Sequence, residues 1–313
     1  MIQIDLITGF LGSGKTTFLK KYAGFWIRQN VKIGILENDY GAVNVDVMLL
    51  SDPELSDCVV ESVAGACDRD CHMRRFKTKL IALAMSGCER VIIEPSGIFD
   101  TDEFFDSLRE EPLDRWYTIG NVIAVVDAGL EKKLSAFSEY MLASQCANAG
   151  RIILSKTQLY SEECVQQTVQ RIQTSLRDCG CSREIAPCML TKNWDALTNE
   201  DWKLIAECGY SKAGFVKKYR DAEGFSSLYF MHTGLDRVKA AEKTKELLRG
   251  AGYGDVFRVK GFVMENGCWY ELNGAASGIM IRPSGTGQDI LIVIGENLNK
   301  SAIEAVFGGN ENG

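Results

Sequence analysis

The sequence predicts an α/β fold, a doubly wound and mostly parallel sheet followed by a smaller C-terminal α+β domain. Three observations point there. The chain has 313 residues, about two domains at the usual ~100–200 residues each. Through about residue 190, short apolar runs rich in Val and Ile alternate with helical patterns. Beyond Phe225, several strand-like runs succeed one another without helices between them.

The runs Ile2–Ile7, Val31–Leu36, Arg90–Ile93, Asn121–Val126 and Arg151–Leu154 have the length and β-branched content of strands buried on both faces. Between them, Met73–Ser86 sets Phe76, Leu80, Leu83 and Ala84 on one helical stripe, and Gln166–Cys179 is a second helix. Alternation of this kind builds a doubly wound sheet. Thr191–Gly224 reads as one or two helices and a connection. Then come a strand (Ser226–Met231), a helix (Leu235–Leu248), and strands at Val256–Met264, Cys268–Leu272, Gly278–Ile281 and Ile290–Ile294. Lys300–Phe307 closes the chain as a helix. Adjacent strands without crossovers imply antiparallel pairing. The expected division is a nucleotide-binding domain over 1–200, a helical connection over 201–224 and an α+β domain over 225–313.

Lys and Arg number 35 against 42 Asp and Glu, a net charge of −7. An acidic chain is poorly suited to tracking a phosphate backbone, so no nucleic-acid partner is expected. No apolar run approaches the ~18 residues that span a bilayer, and the opening MIQIDLITGF lacks the basic and long apolar regions of a signal peptide. A soluble, cytoplasmic protein without membrane contact is the expectation. Its eleven cysteines cannot all pair, and reduced thiols serve as small packing residues or, in part, as metal ligands.

The strongest chemical signal is Gly9-Phe10-Leu11-Gly12-Ser13-Gly14-Lys15-Thr16, a G-x-x-x-x-G-K-[ST] loop directly after a strand and before a helix. Its glycines let successive N–H groups turn inward around phosphates, and the helix start adds its positive dipole end. Gly9, Gly12, Ser13 and Gly14 form the cradle. Lys15 reaches the β- and γ-phosphates, Thr16 ligates Mg²⁺ and Thr17 reaches the α-phosphate. The expected ligand is a nucleoside triphosphate.

With this loop, the segment Leu36–Asp46 (LENDYGAVNVD), IIEPSG at Ile92–Gly97, and the C-terminal GDVFRVKGFV and ILIVIGENLN, the chain resembles the CobW-like GTPases, relatives of the nickel-delivery proteins HypB and UreG. The resemblance implies GTP hydrolysis coupled to handling of zinc or cobalt for a client metalloprotein. A second copy of the chain is a further candidate partner. Glu37 and Asp39 lie at the carboxyl edge of a strand. Either can hold Mg²⁺, directly or through water, or orient the attacking water; a solvated loop is the plainer alternative. Glu94 ends another strand and can reach Mg²⁺ through a water, while Gly97 offers an N–H to the γ-phosphate and a hinge. Asp127 is a third edge carboxylate.

The family's metal motif is C-x-C-C. This chain has Cys67, Cys71 and His72 in C-x-x-x-C-H spacing, which with Asp68 or Asp70 supplies four donors for Zn²⁺ or Co²⁺. A redox pair or a structural role are the alternatives. The neighbouring Arg69, Arg74, Arg75, Lys77 and Lys79 read as a solvated helix face or an anion site. Where GTPases carry N-K-x-D, this chain has Ser155-Lys156-Thr157-Gln158. Lys156 can still stack its stem on the base, but the amide of Gln158 lacks the paired charged acceptance of a carboxylate. The expectation is weakened guanine preference, with GTP favoured and ATP the alternative. A nucleotide-switched interaction protein without metal, or an ATP-dependent enzyme, are the competing functions.

Overall fold

The computed structural model describes residues 1–38, 55–63, 69–97, 99, 101–130, 134–214, 225–285 and 287–307. The chain divides into two compact units, Met1–Asp221 and Ala222–Gly313.

The first unit is a seven-stranded, all-parallel sheet in the order β3-β2-β4-β1-β5-β6-β7. Its strands are β1 (Ile2–Thr8), β2 (Ile33–Asn38), β3 (Val59–Val63), β4 (Arg90–Pro95), β5 (Tyr117–Asp127), β6 (Arg151–Ser155) and β7 (Met189–Leu190). Around them run α1 (Lys15–Ile27), α2 (Arg69–Met85), α3 (Thr101–Leu108), α4 (Leu113–Trp116), α5 (Ala136–Ala147), α6 (Glu162–Asp178) and α7 (Asn199–Ala206). The continuous apolar content of the central strands is explained by cover on both faces: β2 is buried at every position. One core cluster joins Ile7, Phe18, Leu19, Tyr22, Ile35, Ile92, Ile123 and Ile153. Ser135 and Ser161 cap α5 and α6 by accepting from Ser138 N–H and Cys164 N–H.

Three differences from the sequence expectation bear on the site. Strand β2 runs on to Asn38, so Glu37 is a strand residue rather than a loop residue. Strand β5 starts at Tyr117, earlier than its apolar run, because Tyr117, Thr118 and Ile119 pair with Ile2, Gln3 and Ile4 of β1. Within the expected helical connection over 201–224, Trp202 and Ile205 of α7 join the core of this unit, and Tyr210 bridges to Ala149.

The second unit is a five-stranded antiparallel sheet, ordered β11-β10-β9-β12-β8. Its strands are β8 (Phe225–Met231), β9 (Asp255–Glu265), β10 (Cys268–Ala275), β11 (Gly278–Ser284) and β12 (Ile290–Glu296). Helices α8 (Arg237–Arg249) and α9 (Lys300–Phe307) supply Ala240, Leu247, Ile303 and Phe307 to a core with Val259, Val263, Leu272, Leu291 and Val293. Among the described residues no helix is long and apolar enough to cross a membrane. The described cysteines are all free thiols.

Candidate nucleotide site

The loop between β1 and α1 is built by close approach. Gly9 has φ +146°, and a Cβ there would lie 2.1 Å from Val125 O. A side chain is therefore excluded by the backbone of β5. Gly12 and Gly14 also have positive φ, 72° and 95°. Ser13 N–H donates to Phe10 O at 3.2 Å, closing the turn, and Phe18 N–H donates to Gly14 O at 3.0 Å, starting α1. Lys15 is buried, with Nζ 3.5 Å from Phe10 O. Thr8 Oγ1 and Ser13 Oγ are buried and have no hydrogen-bond partner among the described residues. A glycine-rich turn with two unspent buried hydroxyls beside it fits a polyphosphate. Thr17 is exposed at the same helix start.

Glu94 reaches this loop from the neighbouring strand β4. Thr16 Oγ1 donates to Glu94 Oε1 at 2.8 Å. Glu37 and Glu94 are register partners on the adjacent parallel strands β2 and β4, and both are buried. Hard oxygen donors from Thr16 and Glu94 fit Mg²⁺. Asp39 lies outside the described residues.

Lys156 has αL geometry, φ 58°, and its Nζ bridges Gly12 O at 2.9 Å and Asp127 Oδ2 at 2.6 Å. Asp127 is thereby an anchor for the lysine, and its Oδ1 accepts Gly129 N–H at 2.9 Å. The Tyr160 phenol beside it is pushed up by burial and by the Asp127 charge. Ser155 is buried at the end of β6 and Gln158 is exposed. Sequence reasoning missed Trp194. Its Nε1 donates to Leu154 O at 2.9 Å, its ring meets Phe18 edge-on at 5.3 Å, and it lies 3.4 Å from the position of a Cβ on Gly14. The signal was an aromatic in the polar stretch Thr191–Thr198, a position where a tryptophan needs a packing reason.

The Gly97 peptide packs on the phosphate loop, where a Cβ would lie 2.6 Å from Leu11 N. Ser96 N–H donates to Asn38 O at 2.7 Å, tying the ends of β4 and β2.

The cysteine segment is described in part: Cys67 and Asp68 lie outside the described residues. Cys71 is half-buried near the start of α2. His72 is fully buried, and its Nε2 is 2.7 Å from Asn38 Oδ1. Adjacent helix positions are about 100° apart, so the two side chains leave the helix in different directions. Among the described residues there is no group of three or more His, Cys, Asp or Glu able to hold a metal. Of the basic run, Lys77 pairs with Glu110 and Lys79 with Glu61.

A family model described as the CobW/HypB/UreG nucleotide-binding domain matches residues 3–183. Zinc chaperone YjiA of Escherichia coli (strain K12) is 30% identical over 177 residues, covering 55% of this chain and 54% of that protein. Zinc chaperone YeiR of the same organism is 28% identical over 172 residues, covering 55% and 51%. The chain spans about half the length of these curated relatives. Among solved structures, Zn(II)-bound YjiA GTPase from E. coli aligns over 98% of both chains at 20% identity, with a TM-score of 0.38. Hydrogenase maturation factor HypB from Archaeoglobus fulgidus aligns over 64% of this chain and 86% of that one, at 17% identity and a TM-score of 0.38. The family match covers more than half of the chain and carries Lys15, Glu37, Glu94 and Lys156 within it; the chain belongs to the CobW/HypB/UreG nucleotide-binding family.

Proposed function

We propose that the protein is a Mg²⁺-dependent GTPase that couples hydrolysis to the handling of a transition metal, zinc before cobalt, for a client metalloprotein in the cytoplasm. The observation that carries this reading is the Thr16–Glu94 hydrogen bond of 2.8 Å, with Glu37 in register beside it. It gathers a phosphate-loop hydroxyl and two carboxylates at the carboxyl edge of the sheet, where phosphoryl transfer needs them.

Lys15 neutralises charge on the β- and γ-phosphates, and Gly97 N–H donates to the γ-phosphate. Thr16 and Glu94 would hold Mg²⁺, which when bound would screen the phosphate charge. Glu37 or Asp39 orients the attacking water. Ser155, Lys156 and Gln158 face the base, with the Lys156 stem against its ring. Cys67, Cys71 and His72 are the cargo ligands on this reading, in keeping with the zinc chaperones among the relatives. The His72–Asn38 contact favours a second reading, a nucleotide-switched interaction protein without metal cargo.

Turnover of GTP and ATP, measured with and without Zn²⁺ or Co²⁺ beside elemental analysis of the purified protein, separates these readings. GTP turnover that responds to metal, and stops responding in Cys67→Ala/Cys71→Ala, is expected. Metal-free protein whose rate ignores metal supports the second reading, and faster ATP turnover overturns the choice of base. Gln158→Asp is expected to tighten GDP by about 1.5–3 kcal/mol, through the restored charged acceptor, and to leave ADP unchanged in calorimetry.

A further inference from the structure

We propose that Gln145 is a positioning residue for the γ-phosphate contact at Gly97; the inference rests on the role given to Gly97 above. Gln145 sits on α5, which is buried from Phe137 to Ala147, and is itself 1% exposed. Its Nε2 donates to Gly97 O at 2.9 Å. Its Oε1 is buried and has no partner among the described residues. An unpaired buried acceptor costs about 1–3 kcal/mol, which an apolar side chain of the same size avoids. The bond to Gly97 is what the amide adds at this position.

The other side of Gly97 faces the phosphate loop. A Cβ on Gly97 would stand 2.6 Å from Leu11 N and 2.9 Å from Leu11 Cα. The glycine is thus held between the loop backbone and the Gln145 amide. One residue earlier on the same helix, Ser144 O accepts from Thr101 Oγ1 at 3.1 Å. Helix α5 therefore grips both ends of the connection from β4 to α3, at Gly97 and at Thr101. Gly97 O lies in the peptide unit after the glycine and its N–H in the unit before, so α5 fixes the carbonyl side of Gly97 and thereby limits the φ and ψ that aim the N–H. A group touching only the γ-phosphate discriminates triphosphate from diphosphate, so the grip on Gly97 controls that discrimination and the hydrolytic step.

The test uses the full chain and replaces the amide by a near-isosteric apolar side chain, Gln145→Met. Affinities for GDP and for a non-hydrolysable GTP analogue are measured by calorimetry, with kcat, KM and Tm alongside. The ratio of triphosphate to diphosphate affinity is expected to fall about tenfold, the scale of one lost hydrogen bond. GDP affinity stays within about twofold and kcat falls more than KM rises. Equal weakening of both nucleotides, or a lowered Tm with the ratio intact, overturns the proposal and makes Gln145 a packing residue. Gly97→Ala is run in parallel. If it keeps the wild-type ratio, the γ-phosphate role of Gly97 fails; if it loses the ratio while Gln145→Met keeps it, the role of Gln145 fails alone. Gln145→Asn, whose donor is one methylene short of Gly97, gives the same readings should the Met variant not fold.

Discussion

The two ends of strand β1 both bury polar atoms, and they do so in opposite ways. Near its start, Asp5 is fully buried and fully engaged. It accepts from Arg90 Nη1 at 2.6 Å, Tyr22 OH at 2.8 Å and Asn121 N–H at 2.8 Å. Asn121 carries the network on to Ala206 O at 2.7 Å and Gly209 N–H at 2.8 Å, and Arg90 lies 4.0 Å over the Trp26 ring. At the other end, Thr8 Oγ1 and Ser13 Oγ are buried without protein partners among the described residues. Burial of a charge does not by itself mark a site, since the Asp5 cluster is closed to any ligand. Buried polar groups left unspent at the carboxyl edge of a parallel sheet mark one.

The largest effect is expected at the closed end. Asp5→Asn leaves the largely covered Arg90 side chain, 12% exposed, without its counter-charge and destabilises the unit by about 3–5 kcal/mol, read as a lower urea midpoint. GDP affinity of the folded fraction stays unchanged. Lys15→Ala is the converse. Triphosphate affinity falls at least a hundredfold, about 2.7 kcal/mol, while the urea midpoint holds or rises. A Lys15→Ala protein that unfolds, or an Asp5→Asn protein that folds normally but loses nucleotide, breaks the comparison.

Thr8→Val sharpens it at smaller scale. The change swaps an unpaired buried hydroxyl for a methyl of the same shape, so stability is expected to stay level or rise by up to about 1 kcal/mol. Loss of stability comparable to that of Asp5→Asn would mean that Thr8 is as fully engaged as Asp5. Chemical denaturation of the variant beside wild type decides.

The sheet and phosphate loop were legible because their signals are local. A buried parallel strand needs an apolar run, and the cradle needs glycines where β5 and Leu11 approach. The start of β5 was not legible, because Tyr117–Gly120 precede the apolar run read from Asn121, and only β1 paired beside them makes them strand. Strand β3, Val59-Val60-Glu61-Ser62-Val63, is too short and too polar to stand out. Lys156, Glu37 and Glu94 were readable from motif position, but the partners that fix the site were not. Asn38, Gln145 and Trp194 act through contacts far apart in sequence, and no spacing rule reports those. The thiols divide in the same way. Cys146 and Cys188 are buried packing residues, and burial pushes Cys208 up to about 12 and Cys58 to about 11. Cys268 is exposed.

The stretch from Thr191 to Gly209 joins the two ends, and acid gives the smallest and most selective way to disturb it. Trp194 and Asp195 hold the phosphate side, through Leu154 O and through the ion pair with Lys21 at 2.9 Å. Ala206 and Gly209 hold the Asp5 side through Asn121. Between them α7 is capped by a reciprocal box of Thr198 and Asp201. Lys192 first, then the Thr198 N–H and hydroxyl, hold the Asp201 carboxyl down to about 2 from its ordinary 3.8. A folded value depressed below the unfolded one stabilises fully above about pH 4, and the contribution is lost as pH falls through about 2. Helix α7 is therefore expected to loosen between these values, moving the emission of Trp202, which is 8% exposed. Other carboxylates titrate in the same window, so the measurement is the difference between wild type and Asp201→Asn. The variant should lack this component of the acid transition and sit lower in Tm at neutral pH. If both proteins show the same acid transition, the cap does not link the two ends, and the Asp5 cluster and the phosphate loop are held independently.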